Sequence, residues 1–261
     1  MLAIRGLTCI FGGLKALSDV SFSVAPQQIV GLIGPNGAGK TTLFHCLTGV
    51  IQPTSGEITL RDEVITRLMS YKIARCGIAR TFQNLRLFPE LSALENVMIG
   101  RYIRSALPTV KTAWRAFFKT QKFIEDEKRL REVSQNYLEF VGLRERGSLP
   151  ACHLSYGEQK RLEIARALAA DPTLLLLDEP AAGMNPTETA RLVMLIQQIR
   201  AQGVTLLLIE HNMQMVMKTA DRIVVLDHGV KIAEGSAMEI RHHPAVIEAY
   251  LGRNADATSA S

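Results

Sequence analysis

A chain of 261 residues can form one large domain or a domain with a subdomain, and 47% hydrophobic with 21% charged residues is ordinary globular composition, which excludes a disordered or fibrous protein. The net charge of +5 fits nucleotide, lipid headgroups or nucleic acid as partners and selects none of them. The cysteines, Cys9, Cys46, Cys76 and Cys152, show no Cys-x-x-Cys spacing, which points away from zinc or a redox pair and towards a reducing compartment.

Apolar and polar residues alternate from Ala3 to Thr8 and again from Asp19 to Val24, with Gly12-Gly13 and Pro26-Gln27 as breaks, so the chain opens with short antiparallel strands. Ile29 to Ile33 predicts a fully buried strand. It runs into Gly34-Pro35-Asn36-Gly37-Ala38-Gly39-Lys40-Thr41, after which Thr42 to Thr48 has helical character and stops at Gly49. The loop matches G-x-x-x-x-G-K-[ST], in which glycines let backbone N–H groups turn inward around phosphate oxygens that a Cβ would crowd. The helix behind it aims its positive end at the same anion. Lys40 would reach the β and γ phosphates, and the Thr41 hydroxyl would ligate magnesium. A glycine-rich turn beside a chance lysine is the rival reading, and it leaves the flanking strand and helix without a purpose.

From about Leu91 to Leu143 the pattern becomes long helical periodicity, with Trp114, Phe117, Phe118, Phe123, Leu130, Tyr137 and Val141 amid dense charge, which predicts an inserted helical subdomain. Lys111, Arg115, Lys119 and Lys122 recur at helical spacing. They read as a solvated face balanced by Glu125, Asp126 and Glu127 in preference to a patch for lipid or nucleic acid. After Pro150 a helix from about Gly157 to Ala170 leads to the apolar strand Leu174 to Leu177. A helix from Thr187 to Gln202 then leads to strand Val204 to Ile209, and Arg222 to Leu226 supplies another. That alternation predicts a mostly parallel sheet covered on both faces. No apolar run approaches the ~18 to 20 residues that a membrane-spanning helix requires, so partners would have to supply any spans. Residues 254–261 read as a loose tail.

Leu174-Leu175-Leu176-Leu177-Asp178-Glu179 ends an apolar strand with two carboxylates, an expensive place for charge unless a cation or a reaction uses it. Asp178 would hold the magnesium shell, and Glu179 would polarise an attacking water.

Leu154-Ser155-Tyr156-Gly157-Glu158-Gln159, followed by Lys160-Arg161-Leu162, resembles the signature motif of ABC ATPases. Phosphate loop, signature and Asp-Glu strand occur in that family's order, and the resemblance spans nearly the whole chain. It implies an α/β fold with a RecA-like P-loop core and mostly parallel sheet, an N-terminal antiparallel β subdomain and an inserted α-helical subdomain. The single ABC ATPase domain is expected over 1–253. Its nucleotide-binding core is expected at about 1–88 and 153–235, the helical subdomain at about 89–152, and a C-terminal helical segment at about 236–253.

The resemblance also implies that ATP, with Mg2+, is held by Gly34 through Thr42 on one subunit and by Ser155, Gly157 and Glu158 of a second one, in a head-to-tail dimer. Gln83, in Arg80-Thr81-Phe82-Gln83, matches the glutamine that senses magnesium and the nucleophilic water. His211, in Ile209-Glu210-His211-Asn212, matches the switch histidine that contacts the γ-phosphate and orients Glu179. Phe11 takes the place of the aromatic that stacks on adenine, although an ordinary core phenylalanine is the alternative there. The chain departs from the family at Asn185, where many members carry aspartate, and at Tyr156, which replaces the first of the usual two signature glycines.

Several segments are similar to the branched-chain amino acid importer subgroup: Ala79 to Asn84, Leu154 to Gln159, Glu179 to Gly183, Glu210 to Asn212, and Pro244 to Gly252. This similarity implies the larger of two different ATPases, paired with its paralogue beneath two permease subunits and served indirectly by a substrate-binding protein. Its place would be peripheral, on the cytoplasmic face of a bacterial or archaeal membrane, with no nucleic-acid partner. The alternatives are a related transporter of urea, another amino acid or lipopolysaccharide, and a soluble ABC ATPase outside transport.

Overall fold

The computed structural model describes residues 1–102 and 121–250. Trp114, Phe117, Phe118, the cations Lys111, Arg115 and Lys119, residues 251 and 252 of the C-terminal ending, and the tail 254–261 lie outside the described residues, as do the side chains of Lys122 and Phe123.

The first sheet is antiparallel, in the order β2-β1-β4-β5, built from β1 (Leu2–Phe11), β2 (Leu14–Val24), β4 (Ser55–Leu60) and β5 (Glu63–Val64). Pairing of Leu2 with Val24 and of Phe11 with Leu14 leaves only Gly12 and Gly13 in the turn. Both have positive φ, as a two-residue hairpin whose twist matches its strands demands.

The second sheet has the order β10-β9-β3-β8-β7-β6. Its strands are β3 (Ile29–Ile33), β6 (Ile78–Arg80), β7 (Leu174–Asp178), β8 (Thr205–Ile209), β9 (Arg222–Asp227) and β10 (Val230–Gly235), and all pairs are parallel except β9 with β10. Leu174 and Leu176 point into the core shared with the first sheet and α1 (Lys40–Leu47), whereas Leu175 and Leu177 point into the core beneath the helical layer. Leu207 and Ile209 divide from Leu206 and Leu208 in the same way, so the uniformly apolar runs feed two cores at a period of two.

Among the described residues the α-helices are α1, α2 (Ser70–Arg75), α3 (Ala93–Tyr102), α4 (Gln121–Phe140), α5 (Tyr156–Ala169), α6 (Pro186–Ala201), α7 (Met213–Thr219) and α8 (Ala237–Arg241), with residues 244–250 also helical. Backbone meets backbone where α3 crosses α5: a Cβ on Gly100 would stand 2.1 Å from the Arg166 carbonyl oxygen. No helix among the described residues is long and apolar enough to cross a membrane.

Parallel strands in this order send β3, β7 and β8 out at one sheet edge, side by side. The loops that follow them carry Gly34–Thr41, Glu179 and His211.

Candidate active site

The loop after β3 is shaped by what its glycines approach. A Cβ on Gly34 would lie 2.1 Å from the Leu226 carbonyl oxygen, and one on Gly39 2.5 Å from that of Ala16, so neither position admits a side chain. Gly39, at φ 98°, is the N-cap of α1 and makes no side-chain cap bond, which leaves the helix's first N–H groups facing the loop. Lys40 is buried and folds back along the loop, its Nζ donating to the Gly34 oxygen at 2.7 Å and the Pro35 oxygen at 2.9 Å. Thr41 and Thr42 line the same cavity, of about 930 Å³, together with Asn36, Gly37 and Ala38.

Across that cavity stands Glu179. The Glu179 N–H donates to the Ile209 oxygen at 2.9 Å, one residue beyond the Asp178–Ile209 pair, so strand register delivers Glu179 beside Glu210 and His211. Its φ of 47° is left-handed, an unfavourable state for a non-glycine that tends to collect at functional sites. Both carboxylate oxygens are engaged: Gln83 Nε2 donates to Oε2 at 2.8 Å, and His211 Nε2 lies 2.7 Å from Oε1. Facing a carboxylate, the imidazole presents its Nε2–H. A carboxylate fixed on both sides and open to a cavity is suited to take a proton from water at its mouth.

Three charged residues that the sequence reading passed over hold this cluster. Glu210 is buried just before His211. Its Oε1 accepts from Ala181 N at 2.8 Å and its Oε2 from His211 N at 3.1 Å and Asn212 N at 3.3 Å, which pins the loops after β7 and β8 together. Burial pushes its carboxyl above the ordinary carboxylate range, and the three N–H donors oppose that rise. Lys160 and Glu163, one turn apart on the buried face of α5, hold the Gln83 loop. Lys160 Nζ donates to the Gln83 oxygen at 2.7 Å, and Glu163 Oε1 accepts from Phe82 N at 3.3 Å and Arg86 N at 3.4 Å. Charged residues three apart on an otherwise aliphatic helix face were the available signal. Burial raises the Glu163 carboxyl as well, with Arg166 and Lys160 drawing it down.

Asp178, at the end of β7, is 4% exposed and forms an ion pair with Arg80 at 2.6 Å. Thr41 and Gln83 line the cavity, whereas Asp178 is not among its lining residues. The oxygens of all three are the hard donors magnesium takes, and the glycine cradle leaves room for phosphate beside Thr41, so their chemistry fits the ion. Phe11 is 45% exposed on the rim of the cavity. An aromatic left so open at the end of β1 does not fill the core.

Ser155, Gly157 and Glu158 do not reach this cavity. They line another, of about 190 Å³, with Arg161, Met184 and Glu188. Ser155 is the N-cap of α5 in a complete capping box, in which Glu158 N donates to Ser155 Oγ and Ser155 N to Glu158 Oε2 at 2.9 Å. The Glu158 carboxylate is therefore turned to its own helix. Tyr156 is accommodated by Gly183, whose Cβ would stand 3.1 Å from the tyrosine ring. Asn185 caps α6 with Glu188 as reciprocal partner.

A family model described as ABC transporter matches residues 17–182, and one described as branched-chain amino acid ATP-binding cassette transporter matches residues 230–256. The chain is 48% identical over 254 residues to the high-affinity branched-chain amino acid transport ATP-binding protein BraF of Pseudomonas aeruginosa, covering 97% of this chain and 98% of that protein. It is 45% identical to the corresponding protein LivG of Escherichia coli K12, with the same coverage. Among solved structures it is similar to the ADP conformation of MJ1267, an ATP-binding cassette of an ABC transporter, with a TM-score of 0.84 and 32% identity over 97% of this chain and 98% of that one.

Proposed function

This chain belongs to the ABC transporter family, and from that footing we propose that it is the ATP-binding and ATP-hydrolysing subunit of a branched-chain amino acid importer. The observation that carries the reading is the convergence on one cavity of a phosphate loop with its lysine and a carboxylate clamped between Gln83 and His211.

ATP enters with adenine on Phe11 and its phosphates in the loop from Gly34 to Thr42. Lys40 exchanges its bonds to the Gly34 and Pro35 carbonyls for the β and γ phosphates. Thr41, Gln83 and Asp178 would hold magnesium, and the bound ion would supply positive charge against the phosphate oxygens. Glu179 holds the nucleophilic water on the side away from the leaving ADP and accepts its proton, while His211 and Gln83 fix the carboxylate's direction. The γ-phosphoryl group passes from the ADP oxygen to the water oxygen, giving ADP and phosphate.

Ser155, Gly157 and Glu158 form the second half of a nucleotide site belonging to a facing cassette, a different paralogue in a head-to-tail pair. Two permease subunits supply the membrane spans, a substrate-binding protein delivers cargo to them, and this chain is peripheral on the cytoplasmic side. An apolar groove of about 410 Å³ lined by Val50, Ile73, Phe82, Phe88 and Ile99 receives a permease helix. Two features support that occupant: Val50 is 61% and Phe88 48% exposed, and Phe82 leads directly into Gln83, so a helix seated there pushes on the residue that holds Glu179. The family match at residues 230–256 and the two bacterial relatives support the cargo.

The test is uptake by vesicles containing this chain, its partner cassette and the co-encoded permeases, with the binding protein added. ATP-driven accumulation of leucine, isoleucine and valine, abolished by Lys40→Ala, is the expected result. Uptake with no preference for branched side chains would overturn the cargo. Failure of the wild-type chain to bind nucleotide would overturn the site.

A further inference from the structure

Arg80 has no part in the scheme above. It ends β6 and pairs through Nη2 with Asp178 Oδ2 at 2.6 Å, both side chains being 6% exposed. Its guanidinium stacks over the rings of Phe44, 5.4 Å away, and Phe82, 5.1 Å away. Nε and Nη1 are buried without an acceptor among the described residues. Removing a guanidinium from water to make one ion-pair bond is expensive, and the aromatic faces recover only part of that cost. A carboxylate merely needing a prop could have been held by a neutral donor, such as the Thr81 hydroxyl that already accepts from Asp178 N.

We propose that Arg80 is a positioning residue that competes with magnesium for Asp178, and so sets the metal affinity of the nucleotide site. The proposal rests on the magnesium role given to Asp178 above. A fixed positive charge on one carboxylate oxygen repels a divalent ion approaching the other, and the repulsion is strong where both groups are shielded from water. The pair also keeps Asp178 aligned between turnovers. The sign of the effect separates competition from simple support: a prop, once removed, weakens metal binding, whereas a competitor, once removed, strengthens it.

Manganese is the probe, read by electron paramagnetic resonance on the full chain with a non-hydrolysable ATP analogue. Arg80→Met should bind manganese about tenfold more tightly than wild type, and Arg80→Lys, which keeps the charge, should stay within about twofold. Arg80→Gln removes the charge while keeping a polar side chain and should follow Arg80→Met, which keeps the test decisive if the methionine variant does not fold. Unchanged or weaker manganese binding in the uncharged variants overturns the proposal. Asp178→Asn serves as the reference: if it leaves manganese binding intact, the magnesium assignment falls and takes the competition with it.

Discussion

Glu179 sits in left-handed backbone with each carboxylate oxygen held by a different loop, and this arrangement makes a direct claim about chemistry. Glu179→Gln keeps the shape and removes the base, so steady-state ATP turnover should fall at least ~10-fold while nucleotide affinity stays within about twofold of wild type. Equal turnover would move the base elsewhere. The buried Glu163 makes a claim about pH. Its folded carboxyl is raised by burial, so the folded chain holds that proton more tightly than the unfolded chain does. The stabilisation this confers is complete below the unfolded pKa and is lost as pH rises through the raised folded value. Glu163→Gln escapes that loss, so its melting temperature relative to wild type should climb from pH 5 to pH 8, and a flat difference across that range would contradict the burial argument. Lys40, Glu179 and the glycines were readable in the sequence because their residue types and spacing are tied to phosphate chemistry. Glu210 and Arg80 were not, and Lys160 and Glu163 showed only as charges on an aliphatic helix face, because each acts through contacts between segments distant in the chain. Nothing in Ile78-Ala79-Arg80 announces that its arginine faces Asp178, 98 residues further on.

Among the secondary-structure elements, the buried strands were legible and the short ones were not. Ile29–Ile33, Leu174–Asp178 and Thr205–Ile209 are buried on both faces and carry runs that only an interior parallel strand explains. β5 has two residues and β6 three, too few for any periodicity, and α2 and α7, of six and seven residues, fall below two helical turns. Such elements form because neighbours pair with them: β6 exists through its register with Leu174 to Leu176. The crossing of α3 over α5 is equally tertiary in origin and depends on Gly100 having no side chain. Gly100→Ala should cost about 1–3 kcal/mol of stability through overpacking and lower the thermal midpoint, although alanine is the better helix former in isolation. A stability gain on thermal denaturation would show that the two helices can slide apart at little cost.

At the scale of the molecule, the decisive fact is separation. The phosphate loop and Glu179 open on one cavity, and Ser155 and Gly157 on another, so a single chain brings together only part of what its sequence advertises. The order of the motifs along the chain was legible without coordinates, but their distribution over two faces could be read only through the resemblance to ABC ATPases. Ser155 caps the N-terminus of α5 and lines this second cavity, away from the phosphate loop. The most direct measurement is the structure of the Glu179→Gln transporter trapped with Mg-ATP. Ser155 Oγ and Gly157 N should stand at hydrogen-bonding distance, roughly 3 Å, from the γ-phosphate held by the facing cassette. A closed, nucleotide-filled assembly in which both atoms stand away from every γ-phosphate would contradict that placement.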